Sequence, residues 1–297
     1  MSQNPTVGTW MPKDFQMHTS QNSNTVRVAI IDLYDNQPNQ GMRGIKSILA
    51  DRDGMVLGQQ IVYDVFETRY KNEIPGTDYD IYISSGGPGS PYDGEGKDWE
   101  RNYFNLVESL WNHNQMAEMH SRKHMFFICH SFQMMCRFFK LAEVTKRKST
   151  SFGILPVHKT DDSVKDEIFR TLPEPFHVVD SRDWQAVRPD EKVFNELGAK
   201  VLAMEKIRPH VDFERALMAI RVSDEFVGTQ FHPEADPVGM SIHFQTEDRR
   251  NKVIETYGEQ KYSDMLAGLD DPDKIRLTYR TIVPGFINRA IHKLRGQ

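Results

Sequence analysis

The chain of 297 residues has little cysteine, no excess of positive charge and no long apolar run. Its cysteines, Cys129 and Cys136, cannot form the framework of a disulfide-rich domain, which indicates a reducing compartment. A net charge of −5 provides no basic surface for nucleic acid or an anionic membrane. No apolar run approaches the length of a membrane span, and the N-terminus lacks a signal-peptide pattern. We therefore expect a cytoplasmic protein that binds neither nucleic acid nor membrane.

What is present is an alternation of apolar strands and amphipathic helices. Short apolar runs predict strands at Val26–Ile31, Ile61–Phe66, Tyr79–Ile83 and Met125–Ile128. Helical spacing of apolar residues predicts helices at Gly41–Leu49 and Trp99–Trp111. Strands that alternate with helices of this length are typical of an α/β fold with a parallel, doubly wound sheet.

The second half of the chain has a different pattern. Its predicted strands are shorter: Phe152–Val157, Phe176–Val179, Val201–Ala203, Ala216–Val222 and Phe226–Phe231. The last two predict an antiparallel hairpin. Residues beyond Pro237 predict a helical tail, with a kink or break at Pro284.

These patterns predict three regions: a flexible, polar lead-in at residues 1–25, an α/β domain at 26–237 and a C-terminal helical extension at 238–297. The apolar stripe of the extension either packs on the sheet or forms a surface for a dimer or another partner.

Cys129 lies where a strand is predicted to turn sharply into a helix. It follows Met125–Ile128 and precedes apolar residues with helical spacing, Phe132, Met135, Cys136 and Phe139. A cysteine in this position lies under the positive N-terminus of the helix, which favours the thiolate. Taken alone, a buried cysteine is more often a small apolar residue than a nucleophile.

Two further motifs provide the remaining parts of a thiol-based site. SSGGPGSP at Ser84–Pro91 follows a predicted strand, and GTQFHPE at Gly228–Glu234 ends another. Alone, each is typical of a turn. A thiol nucleophile, however, needs a base, a group that orients the base and N–H donors for the oxyanion. The chain has a candidate for each role at the end of a predicted strand, where open α/β sheets place their sites.

The order of glycine loop, cysteine elbow and FHPE strand resembles the class I (triad-type) glutamine amidotransferases, from about Val26 to Pro237. This family includes the glutaminase domains of GMP synthase, anthranilate synthase and carbamoyl phosphate synthetase. The resemblance implies a flavodoxin-like fold, in which helices flank a mostly parallel central sheet. It also implies hydrolysis of L-glutamine without a cofactor or metal, and transfer of the ammonia to an acceptor. No phosphate-cradling loop follows Pro237, so we expect the acceptor of the ammonia to be on a separate synthase polypeptide or to be one that the sequence does not identify. The sequence is also compatible with a homodimer.

The resemblance also assigns roles to individual residues. Cys129 would attack the glutamine side chain and form a γ-glutamyl thioester, His232 would be the general base and then acid, and Glu234 would orient His232. The implied oxyanion hole consists of the N–H groups of Gly87 and His130. The implied substrate-binding residues are Gln133, Asp183 and Trp184.

The cysteine elbow departs from the family pattern. Small residues usually stand two before and two after the cysteine, where this chain has Phe127 and Ser131. Phe127 must point into a hollow or open the turn. His130 replaces an apolar residue, and it either points to solvent, adjusts the thiolate pKa or restricts the pocket. Two other functions therefore stay open: a γ-glutamyl peptide or amide hydrolase with the same triad, and a catalytically impaired regulatory relative.

Overall fold

The computed structural model describes residues 25–51, 59–207, 214–271 and 274–296. Its strands are β1 (Thr25–Ile31), β2 (Gln60–Phe66), β3 (Ile81–Ser84), β4 (His124–Ile128), β5 (Ala142–Lys159), β6 (Phe176–Pro189), β7 (Lys200–Glu205), β8 (Leu217–Arg221) and β9 (Phe226–Thr229). Its helices are α1 (Gly41–Ala50), α2 (Thr68–Lys71), α3 (Asp98–Met116), α4 (His130–Phe138), α5 (Asp161–Lys165), α6 (Glu191–Leu197), α7 (Pro237–Gln245), α8 (Glu247–Tyr257), α9 (Glu259–Asp270) and α10 (Ile275–Leu294). Of the predicted lead-in at 1–25, only Thr25 lies in the described ranges.

The strands form a single sheet in the order β2-β1-β3-β4-β9-β8-β7-β5-β6. Pairing is parallel from β2 to β9, which brings the carboxyl ends of β3, β4 and β9 to one edge. Pairing of β8 with β9 is antiparallel, as the hairpin prediction requires. The predicted fold class, an α/β fold with a mostly parallel central sheet and flanking helices, is confirmed.

The long strands β5 and β6 extend well beyond the predicted short strands. Their pairing continues past the apolar segments, with a register shift between Lys146 and Ser151. Many side chains in this part of β5 are exposed, so they do not form the apolar run on which the prediction depended. The sheet therefore carries a long antiparallel ribbon that periodicity alone misses.

Helix α10 belongs to the main hydrophobic core. Its buried side chains share one cluster with β1, β3 and β4, and the rings of Phe126 and Phe286 lie 5.1 Å apart in an edge-to-face arrangement. The stripe of α10 therefore packs on the sheet, the first of the two alternatives. The helix continues through Pro284, so of the predicted kink or break the break is wrong. No helix in the described ranges is long and apolar enough to cross a membrane.

Helices α7, α8 and α9 form a separate apolar cluster against β5 and β6. Its buried members include Val179, Met240, Phe244, Val253 and Met265. The rings of Phe152 and Phe244 meet edge to face with centroids 5.7 Å apart. This cluster places the first helices of the extension beside the carboxyl end of β9.

Candidate active site

The turn between β4 and α4 holds Cys129 in a backbone conformation that side chains rarely adopt. Its φ of 50° and ψ of −96° lie in a region that favours glycine. Such a conformation costs roughly 1–3 kcal/mol and persists only where surrounding contacts enforce it. Two bonds do so here: the Cys129 N–H donates to the Thr229 carbonyl at 2.8 Å, and the Gln133 N–H donates to the Cys129 carbonyl at 3.1 Å. The thiol is thereby raised above the sheet edge at the N-terminus of α4.

Phe127 and Ser131, which depart from the family pattern at the elbow, are both buried. Phe127 is fully buried on the opposite face of β4 from Ile128, and its ring lies 5.9 Å from that of Phe226. It points into the core, the first of the two alternatives. The buried Ser131 hydroxyl accepts from the Ile128 N–H at 2.7 Å and donates to the Ser84 carbonyl at 2.8 Å. Ser131 therefore ties the elbow to the end of β3.

His232 and Glu234 form a hydrogen-bonded pair beside Cys129. His232 Nδ1 lies 2.8 Å from Glu234 Oε1, and the His232 N–H donates to the Val179 carbonyl at 2.9 Å. Burial disfavours the charged imidazole, but the negative charges of Glu234 and Cys129 outweigh it and raise the pKa of His232 well above its ordinary value. Glu234 is 1% exposed, and its Oε2 has no partner among the described residues. The pair favours proton transfer from the thiol to the imidazole.

Gln133 reaches the Cys129 thiol through a second glutamine, Gln230. Its Nε2 donates to Gln230 Oε1 at 3.1 Å, and Gln230 Nε2 lies 3.8 Å from the Cys129 sulfur. On the other side of the sulfur is the Ser181 carbonyl, at 3.9 Å. The sequence motifs did not predict a role for Gln230. Its spacing of two residues from His232 could have done so, because that spacing places both side chains on one side of an extended chain.

The glycine loop packs against the ring of His130 at the start of α4. A Cβ at Gly87 would meet the Leu33 carbonyl at 2.5 Å and the His130 ring at 3.4 Å, so close packing on the loop after β1 requires glycine. As the first residue of α4, His130 has an N–H without an intrahelical acceptor. Its ring is buried, and burial, followed by the charges of Arg69 and Arg137, lowers the pKa of His130 to about 3. His130 is therefore neutral and does not point to solvent.

The β6 strand is held beside Cys129 by buried charges. Arg182 Nε donates to both Asp180 carboxylate oxygens at 3.0 Å, and the Ser151 hydroxyl donates to Asp180 at 2.6 Å. These contacts flank Ser181, whose carbonyl faces the thiol. Further along β6, Asp183 accepts from Thr150 at 2.5 Å. The ring of Trp184 packs on Tyr92 with centroids 5.5 Å apart.

Tyr34, which the sequence analysis did not single out, also reaches the site. A Cβ at Gly86 would lie 3.0 Å from both the Tyr34 hydroxyl and His232 Cε1. Burial, then the charges of Glu234 and Cys129, raises the pKa of Tyr34 well above its ordinary value. The phenol is therefore neutral and can donate a hydrogen bond. Its position after β1, at the carboxyl edge of the sheet, was the available signal.

Tyr34, Ser181 and the predicted site residues line one cavity of about 460 Å³. The structure brings together every predicted site residue along its wall: Gly87, Cys129, His130, Gln133, Asp183, Trp184, His232 and Glu234. The described residues contain no cluster of three or more histidine, cysteine, aspartate or glutamate side chains suited to a metal. The cavity thus brings together a thiol, an imidazole and a carboxylate hydrogen-bonded to that imidazole, which are the groups that thiol-based acyl transfer requires.

Comparisons with known proteins identify the family and agree with the fold. The family model of the class-I glutamine amidotransferases matches residues 48–245. A glutamine amidotransferase from Thermotoga maritima has a similar fold, with 17% sequence identity and a TM-score of 0.63 over 92% of this chain and 99% of that chain. A glutamine amidotransferase from Methylobacillus flagellatus gives 14% identity and a TM-score of 0.59, over 92% of this chain and 96% of that chain. No curated protein matches the chain.

Proposed function

The chain belongs to the class-I glutamine amidotransferase family, and on that premise we propose that it hydrolyses the side-chain amide of L-glutamine with a Cys129–His232–Glu234 triad. The observation that carries this proposal is the His232–Glu234 pair, 2.8 Å apart, in the same cavity as a cysteine on a strained elbow. Nucleophile, base and orienting group are the parts that thiol-based acyl transfer needs.

In the first half of the reaction, the Cys129 thiolate attacks the γ-carbonyl carbon of glutamine after its proton has passed to His232. The oxyanion of the tetrahedral intermediate accepts from the N–H groups of Gly87 and His130, which cost no reorganisation because the backbone holds them. The C–N bond then breaks, and His232 returns its proton to the departing nitrogen. The products of this half are ammonia and a γ-glutamyl thioester on Cys129.

In the second half, water attacks the thioester while His232 accepts a proton from it. Collapse of the second tetrahedral intermediate breaks the C–S bond, releases glutamate and restores the thiol. Glu234 stabilises the imidazolium in both halves, and its burial strengthens this effect. Gln133, Asp183 and Trp184 lie along the cavity where they can hold the amino acid end of the substrate. We propose that the ammonia passes to an acceptor on a separate synthase.

The test measures glutamate and ammonia released from L-glutamine by the wild type and by Cys129→Ala. We expect turnover by the wild type and none by the variant. In parallel, the rate of alkylation by iodoacetamide near neutral pH reports whether the thiol is activated. Absence of turnover together with an inert thiol would refute the catalytic proposal and favour the regulatory alternative.

A further inference from the structure

The glycine loop that carries Gly87 is held in place by side chains and not by backbone pairing. Residues 86–89 lie between β3 and α3, outside any helix or strand. Among the described residues, no backbone hydrogen bond joins these four to another backbone group. A segment with three glycines loses much conformational entropy when it is ordered. The conformation of the loop therefore depends on the side chains that contact it.

Ser85 fixes the peptide unit between Gly86 and Gly87. Ser85 is fully buried, and its hydroxyl donates to the Gly86 carbonyl at 2.8 Å and accepts from the Leu33 N–H at 2.9 Å. The Gly86 carbonyl and the Gly87 N–H belong to one planar, trans unit, so they point in opposite directions. The Gly87 N–H therefore points away from the Ser85 hydroxyl. It has no acceptor among the described residues, and Gly87 lines the cavity beside Cys129.

Arg69 fixes the next part of the loop. Its Nη1 donates to the Pro88 carbonyl at 2.6 Å, and its Nη2 lies 3.5 Å from Asp93 Oδ2. The same carboxylate oxygen accepts from the Ser90 N–H at 2.9 Å. The Arg69 side chain is only 10% exposed, so these contacts are shielded from water. The ring of Pro88 fixes its φ angle and Arg69 restrains its carbonyl, which leaves little freedom on this side of Gly87.

We propose that Ser85 and Arg69 are positioning residues of the oxyanion hole, which keep the Gly87 N–H directed at the substrate without help from a partner protein. This inference rests on the proposed function and adds that the hole is formed in the chain alone. Neither side chain lines the cavity, so each acts through the backbone of the loop. A donor held in advance stabilises the oxyanion more than one that must first turn towards it, because no free energy is spent on reorganisation.

The first test compares Ser85→Ala with Ser163→Ala. Ser163 is a matched control, because it is also fully buried and its hydroxyl also donates to a backbone carbonyl, that of Thr160 at 2.7 Å, but it lies on α5 and outside the cavity. We expect Ser85→Ala to lower kcat for L-glutamine by at least about tenfold, since complete loss of one oxyanion donor costs about 10²–10³-fold. KM should change by less than about twofold, because the hole stabilises the transition state and not bound glutamine. Ser163→Ala should leave both constants unchanged. An unchanged kcat in Ser85→Ala, or an equal fall in the control, would overturn the role of Ser85.

Two further measurements separate positioning from a general loss of structure at the site. In a Cys129→Ala background, calorimetry should give the same affinity for L-glutamine with and without Ser85→Ala. The pH dependence of Cys129 alkylation by iodoacetamide should also be the same in the wild type and in Ser85→Ala, because this attack by the thiolate forms no oxyanion. A weaker affinity for glutamine or a shifted alkylation profile would show that the whole site is disturbed and would overturn the positioning role.

Arg69 and its partner provide variants that do not depend on the folding of Ser85→Ala. Arg69→Met should lower kcat by at least about tenfold, whereas Arg69→Lys keeps one donor for the Pro88 carbonyl and should stay within about threefold of the wild type. A lysine variant as impaired as the methionine variant would overturn the role of the hydrogen bond. The Asp93 side chain is 45% exposed, so Asp93→Ala leaves the core intact. It should lower kcat severalfold without changing KM, and an unchanged kcat would contradict the proposal.

The wild type alone distinguishes failure of this inference from failure of the proposed function. If it hydrolyses glutamine and none of these variants lowers kcat, the inference fails and the proposed function stands. If it has no turnover although Cys129 is rapidly alkylated and Cys129→Ala binds glutamine, the hole is not formed in the chain alone, and again only the inference fails. If Cys129→Ala does not bind glutamine and the wild type has no turnover, the proposed function fails and the inference fails with it.

Discussion

Replacing His130 with leucine tests whether the residue after Cys129 carries a charge. The ring is 2% exposed, and its Nε2 has no partner among the described residues. Burial, aided by two arginine charges, lowers its pKa in the folded protein to about 3, whereas an unfolded histidine has a pKa of about 6.5. Between these values the unfolded chain binds a proton that the folded chain does not. Stability is therefore lost as the pH falls from about 6.5 towards 3.

The size of this loss follows from the pKa difference. At pH 5 the pH lies about 1.5 units below the pKa of the unfolded histidine, while the folded histidine stays unprotonated. Proton binding therefore stabilises the unfolded state relative to the folded state by about 2 kcal/mol. The wild type should therefore lose about 2 kcal/mol more than His130→Leu between pH 7.5 and pH 5, as measured by urea unfolding. His124→Leu should reduce the loss by a similar amount and so provides a second test, since His124 is also buried and its pKa is also lowered to about 3. If the wild type and His130→Leu lose the same free energy of unfolding over this pH range, the His130 ring is not a neutral, buried group.

The same variant decides how His130 affects the thiol. Because the ring stays neutral above about pH 5, it cannot stabilise the Cys129 thiolate with a positive charge. The shape of the pH–rate profile should then be the same in His130→Leu, even if the rate itself changes. A shift of the acid limb in the variant would show that His130 titrates with the nucleophile, contrary to the structure.

Three further predictions concern the triad and the elbow. Glu234→Gln should lower kcat by about 10²-fold or more. It should also move the basic limb of the pH–rate profile, where the His232 imidazolium loses its proton, to lower pH, because the Glu234 charge no longer raises the pKa of His232. An unmoved limb would exclude the pairing of His232 with Glu234. Ser131→Ala should lower the free energy of unfolding by about 1–3 kcal/mol, since it leaves the Ile128 N–H without its acceptor; urea unfolding measures this, and an unchanged midpoint would contradict it. Cys129→Gly should be at least as stable as Cys129→Ala, because glycine relieves about 1–3 kcal/mol of backbone strain and so offsets its own entropic cost of about 0.5–1 kcal/mol; thermal unfolding of both inactive variants compares them, and a clearly less stable glycine variant would argue against the strained turn.

Much of the fold could be predicted because its parallel core consists of continuous apolar segments. The strand before Cys129 and the helix after it appear where the periodicity placed them. The ribbon of β5 and β6 could not be predicted in full, since its outer part is stabilised by backbone pairing between exposed residues. Such pairing depends on a partner strand that is distant in sequence, and it leaves no apolar pattern.

The site could be predicted only where a residue type has a chemical role that its neighbours in sequence reveal. Cys129 and His232 are of this kind. Gln230, Ser131 and Tyr34 are not, because each depends on residues far away in the chain: Gln230 lies near the Cys129 thiol, Ser131 bonds to the end of β3, and Tyr34 lies near the charges of Glu234 and Cys129. A glutamine, a serine or a tyrosine in an apolar segment is as consistent with simple packing as with any of these roles.

Contacts of helix α1 join the carboxyl edge of the parallel strands to the C-terminal extension. A Cβ at Gly44 would lie 2.1 Å from the Glu234 carbonyl oxygen, so the helix can approach the turn after His232 only because it has glycine there. From the same helix, Arg43 forms an ion pair with Asp236, the residue that caps α7. The chain segment that carries Glu234 and the first residues of α7 are therefore anchored at one place on α1.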